Sequence, residues 1–322
     1  MTAVSVIVPA RDAEATLGAT LRALQHQDLD QPYEVLVVDD GSRDATAAVA
    51  RAAGPPVRLL RLEQSTGAGS VRNHGAAAAR GRVLAFTDAD CRPTPGWLRV
   101  GLRALEDCDL VQGAVAPDPS AAMGPYDRSL SVTGERGFYE SANLFVRRDR
   151  FEAAGGFEDV IGRARRPQGE DVVFGWRVRR AGGRTAFCEE ALVHHAVFPR
   201  GRLGWVLDRW RWRHLPAVVG HVPELRDHLC YRRWFYEHRT AAFDAAMVGV
   251  GLSVLTRRRR AGRLLRLLSL GLAWPYARVV GEEARRLGPR RGTAYLPARL
   301  AADAVALASL TAGSAAARSV LL

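Results

Sequence analysis

The sequence predicts an α/β protein, a mainly parallel sheet flanked by helices, followed by a basic α-helical extension. Three observations carry this. Short β-branched runs alternate with segments of helical period through the first half of the chain. Acidic residues close several of those runs, on the side where such sheets bind ligands. Beyond residue 200 the texture changes to helices studded with Arg and Trp.

The elements follow in order. Val4 to Val8 is a buried strand by its β-branched run. Residues 13–25 place Leu17, Leu21 and Leu24 at helical spacing. Strands at 34–38 and 57–62 bracket a helix at 43–53, and an Ala-rich helix at 68–79 leads into a strand at 83–86. A helix at 95–105, a strand at 110–115 and a loop of about 20 residues come next. "ANLFVRRDRFEAAGGF" reads as a strand-helix pair, 171–181 as a helix, and 184–187 as a short strand before "ALVHHAV". The domain expectation is 1–200, divided at 92/93, and 201–322.

The 322 residues, 48% hydrophobic and 25% charged, suffice for a sizeable core. The net charge of +12 is unevenly spread: residues 1–199 carry 24 Arg and 26 acids, residues 200–322 carry 22 Arg and 8 acids. There is no lysine, which we read as codon bias rather than function. Four scattered cysteines without a CxxC pair argue against a zinc site or disulfide framework and suit a reducing cytoplasm. "VSVIVPA" begins at Val4, so no signal peptide is expected.

Three acidic pairs fall at predicted strand ends or the sheet rim: Asp39–Asp40, Asp88–Asp90 and Glu170–Asp171. Each alone fits a turn or helix cap. Parallel strand ends lie side by side, so together they should converge on one crevice, where carboxylates repel unless a cation or protons intervene. Oxygen ligands spaced D-x-D suit Mg²⁺ or Mn²⁺ shared with substrate phosphates.

Several stretches resemble family 2 glycosyltransferases of the GT-A fold. They are "VSVIVPARDAEATLGATLRAL", "VLVVDDGSRDAT", "GAGSVRNHGAAAARGRVLAFTDAD", "SANLFVRRDRFEAAGGFED" and "GEDVVFGWRVRRAGGR", in order over roughly residues 1–200. The resemblance implies a nucleotide-sugar donor held by Pro9, Ala10, Arg11, Asp39 and Asp40, with Asp39 accepting from a uracil N–H. It places Gly67 and Arg72 near the base or phosphates, Asp88 at the ribose or the metal's waters, and Asp90 on a divalent metal, Mn²⁺ or Mg²⁺. His195, in "LVHHAV", is implied as a further metal ligand in preference to His194. Asp171 is implied as the general base of an inverting displacement, with Glu170 orienting it, capping the helix or serving as the base instead. Asn143 falls in the segment implied to line the acceptor pocket, and Trp176 reads as core. A catalytically silent sugar-nucleotide-binding protein is the alternative; the full set of Asp39, Asp88, Asp90 and Asp171 speaks against it.

Competing motifs fail on particular residues. "GAGSVR" has Arg72 where a dinucleotide fold needs its third glycine, and Arg92 where the ribose-binding acid belongs. No phosphate-binding G-x-x-x-x-G-K-[ST] occurs. "VLDRW" (206–210) keeps the Arg-Trp of the processive members' Q-x-x-R-W but lacks the Gln, which implies transfer of a single sugar.

The tail's long apolar stripes beside Arg fit interfacial helices better than nucleic-acid contacts. Its longest uncharged runs are 14, 12 and 11 residues (304–317, 245–256, 267–277), short of a transmembrane span. Arg257–Arg260 suits anionic lipid. The expectation is a peripheral protein on the inner face of the cell membrane, with a lipid-linked or cell-envelope hydroxyl as acceptor. A helical appendage or homodimer surface is the other use of the tail.

Overall fold

The computed structural model describes residues 2–158, 169–255 and 262–322. They divide into two compact units: residues 1–123 with 128–198, and residues 124–127 with 199–322.

The first unit is an eight-stranded mixed sheet with helices. In chain order it contains β1 (Val4–Ala10), α1 (Glu14–Gln25), β2 (Tyr33–Asp40), α2 (Thr46–Ala52), β3 (Val57–Leu62), α3 (Ala68–Ala78) and β4 (Val83–Thr87). Then come β5 (Cys91–Pro93), α4 (Trp97–Ala104), β6 (Leu110–Pro117), β7 (Asn143–Arg147), α5 (Arg148–Ala153), α6 (Glu170–Arg180) and β8 (Thr185–His195). The strand order is β3-β2-β1-β4-β7-β6-β8-β5. The first four strands are parallel, as their alternation with helices requires. β7 runs antiparallel to β4 and β6, and β5 antiparallel to β8, so the second half is mixed.

Three elements differ from the sequence expectation. β8 is one strand through His195, not a short strand followed by a separate segment. β5 has only three residues, and periodicity cannot register so short a strand. β6 loses register against β8 between Gly113 and Ala114, skipping from the Gly113–Cys188 pair to Ala114–Leu192. Such a bulge leaves main-chain groups without ladder partners.

Burial explains why the strand ends are placed so firmly. Val4, Val6, Ile7 and Val8 of β1 and Val35 to Val38 of β2 are fully buried, as central strands covered on both faces must be. α3 lies close against them because residue 75 is glycine: a Cβ there would fall 2.6 Å from Ile7 Cγ2. That approach sets the position of Arg72, one turn earlier on the same helix.

The second unit comprises α7 (Arg202–Leu207), a 3₁₀ segment (Asp208–His214), α8 (Leu215–His221), α9 (Leu225–His228), α10 (His238–Leu255), α11 (Gly262–Gly271), α12 (Trp274–Arg286) and α13 (Pro289–Ala317). Among the described residues α13 alone is long and apolar enough to cross a membrane. Counting uncharged runs passed over it because Asp303 interrupts the stretch. Ala298, Ala302, Ala306 and Leu310 of α13 are buried. Its buried Arg299 donates to Asp303 from both Nε (3.0 Å) and Nη2 (2.5 Å), and Tyr276 donates to the same carboxylate at 2.9 Å. A buried pair with its hydrogen bonds satisfied is tolerated inside a helical core, and α13 is the central helix of this unit. Arg257–Arg260, expected to face lipid, lies outside the described residues.

Candidate active site

The site is built where β1, β2 and β4 end, where β5 meets β8, and where α6 begins. Pro9 and Ala10 close β1, with Ala10 opposite Asp39 on β2. Asp39 is fully buried; its Oδ1 accepts from Ser42 N–H at 2.9 Å, and its Oδ2 has no hydrogen-bond partner among the described residues. Arg61, its cross-strand neighbour on β3, brings Nε to 3.4 Å from Oδ2. One oxygen thus retains capacity for an N–H at the strand end.

Asp40 has a different task from the one the sequence suggested. Its Oδ1 accepts from Thr66 N–H and its Oδ2 from Ser65 Oγ, both at 2.7 Å. The carboxylate ties β2 to the loop before α3. Arg11 is half-exposed, donates to the same Ser65 Oγ, and sits 3.8 Å from Asp40. Gly67 begins α3 at φ +96°, a conformation that favours glycine.

Arg72 is the hub. It is buried, with Nη2 donating to Asp88 Oδ1 at 2.7 Å and Nη1 3.6 Å from Glu170 Oε1. Burial would lower its affinity for a proton, but Asp88, Glu170 and Asp171 outweigh that and hold it above the ordinary value. The D-x-D turn and the start of α6 are therefore joined through one guanidinium. Glu170, with Asp171 beside it, opens α6 after a left-handed Gly169 at φ +84°.

Asp171 accepts from its neighbour Val172 N–H at 2.9 Å and from Ser141 N–H at 3.3 Å. The second bond depends on Gly175, one turn on, whose Cβ would fall 2.1 Å from the Tyr139 ring. Burial pushes Asp171 up to about 6, against the pull of Arg72 and with a further push from Glu140. A carboxyl group so placed takes protons near neutrality, the range a general base needs.

On the other side of the D-x-D turn, His195 Nε2 lies 3.6 Å from Asp90 Oδ2. His195 Nδ1 is 2.7 Å from the Ala196 carbonyl oxygen. A carbonyl only accepts, so Nδ1 carries a proton and Nε2 is the nitrogen turned to the carboxylate. The approach of that nitrogen to a carboxylate oxygen leaves a place for a cation or a shared proton between them. Burial and the Asp88 charge raise the Asp90 carboxyl above its usual range, and His195 pulls the other way. The carboxylate suits Mn²⁺ or Mg²⁺, and the imidazole beside it is accepted by Mn²⁺ more readily than by the harder Mg²⁺. Among the described residues no three His, Cys, Asp or Glu side chains could hold a metal alone. A metal here would need ligands from a substrate. His194, the other candidate, pairs opposite Arg92, and its Nδ1 is buried without a partner among the described residues.

Asn143 is a correction. Its side chain is fully buried: Nδ2 donates to Ala114 O and Ala191 O, each at 2.7 Å, and Oδ1 accepts from Trp97 Nε1 at 2.8 Å. Those carbonyls flank the β6–β8 register shift, so Asn143 seals a bulge rather than lining an acceptor pocket. We expect Asn143→Leu to lower stability by about 3 kcal/mol or more, since each unmet buried group costs about 1–3 kcal/mol. A depressed urea midpoint would register this; an unchanged midpoint with lost activity would restore a ligand-binding role. Trp176 is core, as expected, donating Nε1 to Gly137 O. Ser141 and Ser129, the latter 3.3 Å from His195 Nδ1, were not foreseen, because their contacts depend on loop geometry.

Comparisons with known proteins bear on the family and the fold. A family model described as glycosyl transferase family 2 matches residues 5–163. Glycosyltransferase AglE of Haloferax volcanii is 31% identical over 253 residues, covering 69% of this chain and 82% of that protein. The chain belongs to glycosyl transferase family 2. A pre-mycofactocin glycosyltransferase of Mycobacterium tuberculosis is 29% identical over 212 residues, covering 60% of this family 2 chain and 42% of that protein. Mannosyltransferase PcManGT from Pyrobaculum calidifontis, solved with GDP-Man and Mn²⁺, superposes with a TM-score of 0.58 at 19% identity over 96% of this chain and 86% of that one. S. aureus TarS 1–349 in complex with UDP gives 0.53 at 18% identity over 89% and 92%. These two likenesses establish the GT-A fold, and the family membership makes the protein a glycosyltransferase.

Proposed function

We propose that this glycosyltransferase moves a single sugar from a nucleotide-sugar donor, a UDP-sugar, to an acceptor hydroxyl with inversion at the anomeric carbon. The observation that carries the reading is the Arg72 hub, which joins Asp88 to the first turn of α6. Asp39 Oδ2 supplies an acceptor for the uracil N–H, and the ends of β1 and α3 supply main-chain edges around the base. Asp88 holds the ribose side of the donor. Asp90 and His195 would hold Mn²⁺ or Mg²⁺, whose chemistry is to neutralise charge on the departing diphosphate. Asp171 takes the acceptor hydroxyl's proton as that oxygen bonds to the anomeric carbon and the bond to the diphosphate oxygen breaks. Arg72 and Glu170 keep the base at the donor's far face.

The 22 Arg against 8 acids in residues 200–322 favour work at an anionic surface, hence a lipid-linked or cell-envelope acceptor at the inner face of the membrane. A thermal-shift screen of UDP- and GDP-sugars, with and without Mn²⁺, tests the donor reading. Ligand at 100 times its Kd adds about 2.7 kcal/mol of stability, and we expect that gain with a UDP-sugar only when Mn²⁺ is present. An equal shift in chelator would remove the metal from the proposal.

A further inference from the structure

The apolar surface of the second unit is concentrated on one pair of packed helices, α10 and α11. The two helices touch closely at Gly249, where a Cβ would fall 2.1 Å from Ser269 O. Away from that contact, Met247, Val248, Val250, Leu252, Val254 and Leu255 of α10 are all exposed, Leu255 to 77%. At 100° per residue these side chains spread over an arc of roughly 200° around the helix. Leu267, Leu268 and Leu270 repeat the pattern on α11, and Trp274 follows at 69% exposure. A flat protein partner covers about one face of a helix. An arc this wide on two adjacent helices suits an apolar medium that wraps them.

Charge narrows the medium further. From residue 245 to 281 the sequence holds seven Arg and no Asp or Glu. The exposed part of α10, nine residues from 247 to 255, is about 13 Å long, against about 30 Å of bilayer hydrocarbon. It reaches into one leaflet only, and Trp belongs at that depth. We infer that the α10–α11 pair inserts into the interfacial layer of an anionic phospholipid leaflet and so seats the enzyme on the membrane. The inference sharpens the membrane location proposed above, but it stands on this surface alone and requires neither the donor nor the base assignment.

The test is flotation of the full chain with phosphatidylcholine vesicles and with vesicles containing phosphatidylglycerol. The wild type should float with the anionic vesicles and much less with the neutral ones. Val254→Glu/Leu268→Glu should lower the partition about a hundredfold, as the loss of two buried apolar side chains implies, while donor-induced thermal shift stays unchanged. Both positions are exposed, so the variant leaves the core intact. Sedimentation velocity without lipid supplies the opposing outcome. A wild-type dimer that the double variant dissolves, with vesicle binding equal in both proteins, would assign the surface to a second copy and overturn the inference.

Discussion

Asp171→Asn is expected to bind nucleotide-sugar as the wild type does and to transfer sugar about 10²–10⁴-fold more slowly, the usual worth of a positioned base. The substitution is nearly isosteric. The amide oxygen can keep the 2.9 Å bond from Val172 N–H, and what is lost is the longer one, 3.3 Å, from Ser141. Arg72 keeps Asp88 and Glu170 as counter-charges, so the donor side of the site stays in place. The pH profile gives a second, independent reading. A base works only when unprotonated, so wild-type kcat should rise tenfold per pH unit below the inflection and level off above about pH 6, where burial has moved the Asp171 carboxyl. The residual rate of the variant should lack that inflection. Undiminished turnover, or the same inflection in the variant, would return the role of base to another group.

The parallel half of the sheet was legible because a covered parallel strand must be continuously apolar, and runs such as Val4–Val8 and 34–38 can hardly be anything else. The placement of Asp39 at the close of one strand and of Asp88 just past another was legible for the same reason, since each acid ends or follows such a run. Pairing across strands was not. Arg61 sits on Asp39 because β3 is in a particular register with β2, and no local pattern encodes that register. Asn143 shows the complementary failure. A polar residue at a strand start reads as functional, but here three buried groups at a sheet irregularity needed an amide, and the irregularity is invisible until β6 and β8 are paired. Asp40 has a role that residue type did not announce, because a strand-end carboxylate serves equally well as anchor for the next loop. Residue type shows that chemistry is possible at a position; the neighbours decide whether its lone pairs are already taken.

That criterion also ranks the candidate metal ligands. Asp88 has given an oxygen to Arg72 at 2.7 Å, whereas Asp90 and His195 face each other without a hydrogen bond between them. We therefore expect Asp90→Ala to abolish Mn²⁺-dependent donor binding and to raise the barrier read from kcat/KM by several kcal/mol, the worth of a metal's charge stabilisation at a leaving group. Asp88→Ala should act differently, because it removes one of the counter-charges of a buried guanidinium and so loosens the Arg72 hub as well. Two measurements separate the cases. Titration of Mn²⁺ in the presence of UDP should show a weakened metal constant for Asp90→Ala and for His195→Ala, with melting temperature in the absence of ligand little altered. For Asp88→Ala the melting temperature itself should fall, since a buried guanidinium that loses its nearest counter-charge is costly to keep. Mn²⁺ affinity that survives Asp90→Ala would contradict the ligand assignment, and the close approach of His195 Nε2 to Asp90 Oδ2 would then be a shared proton.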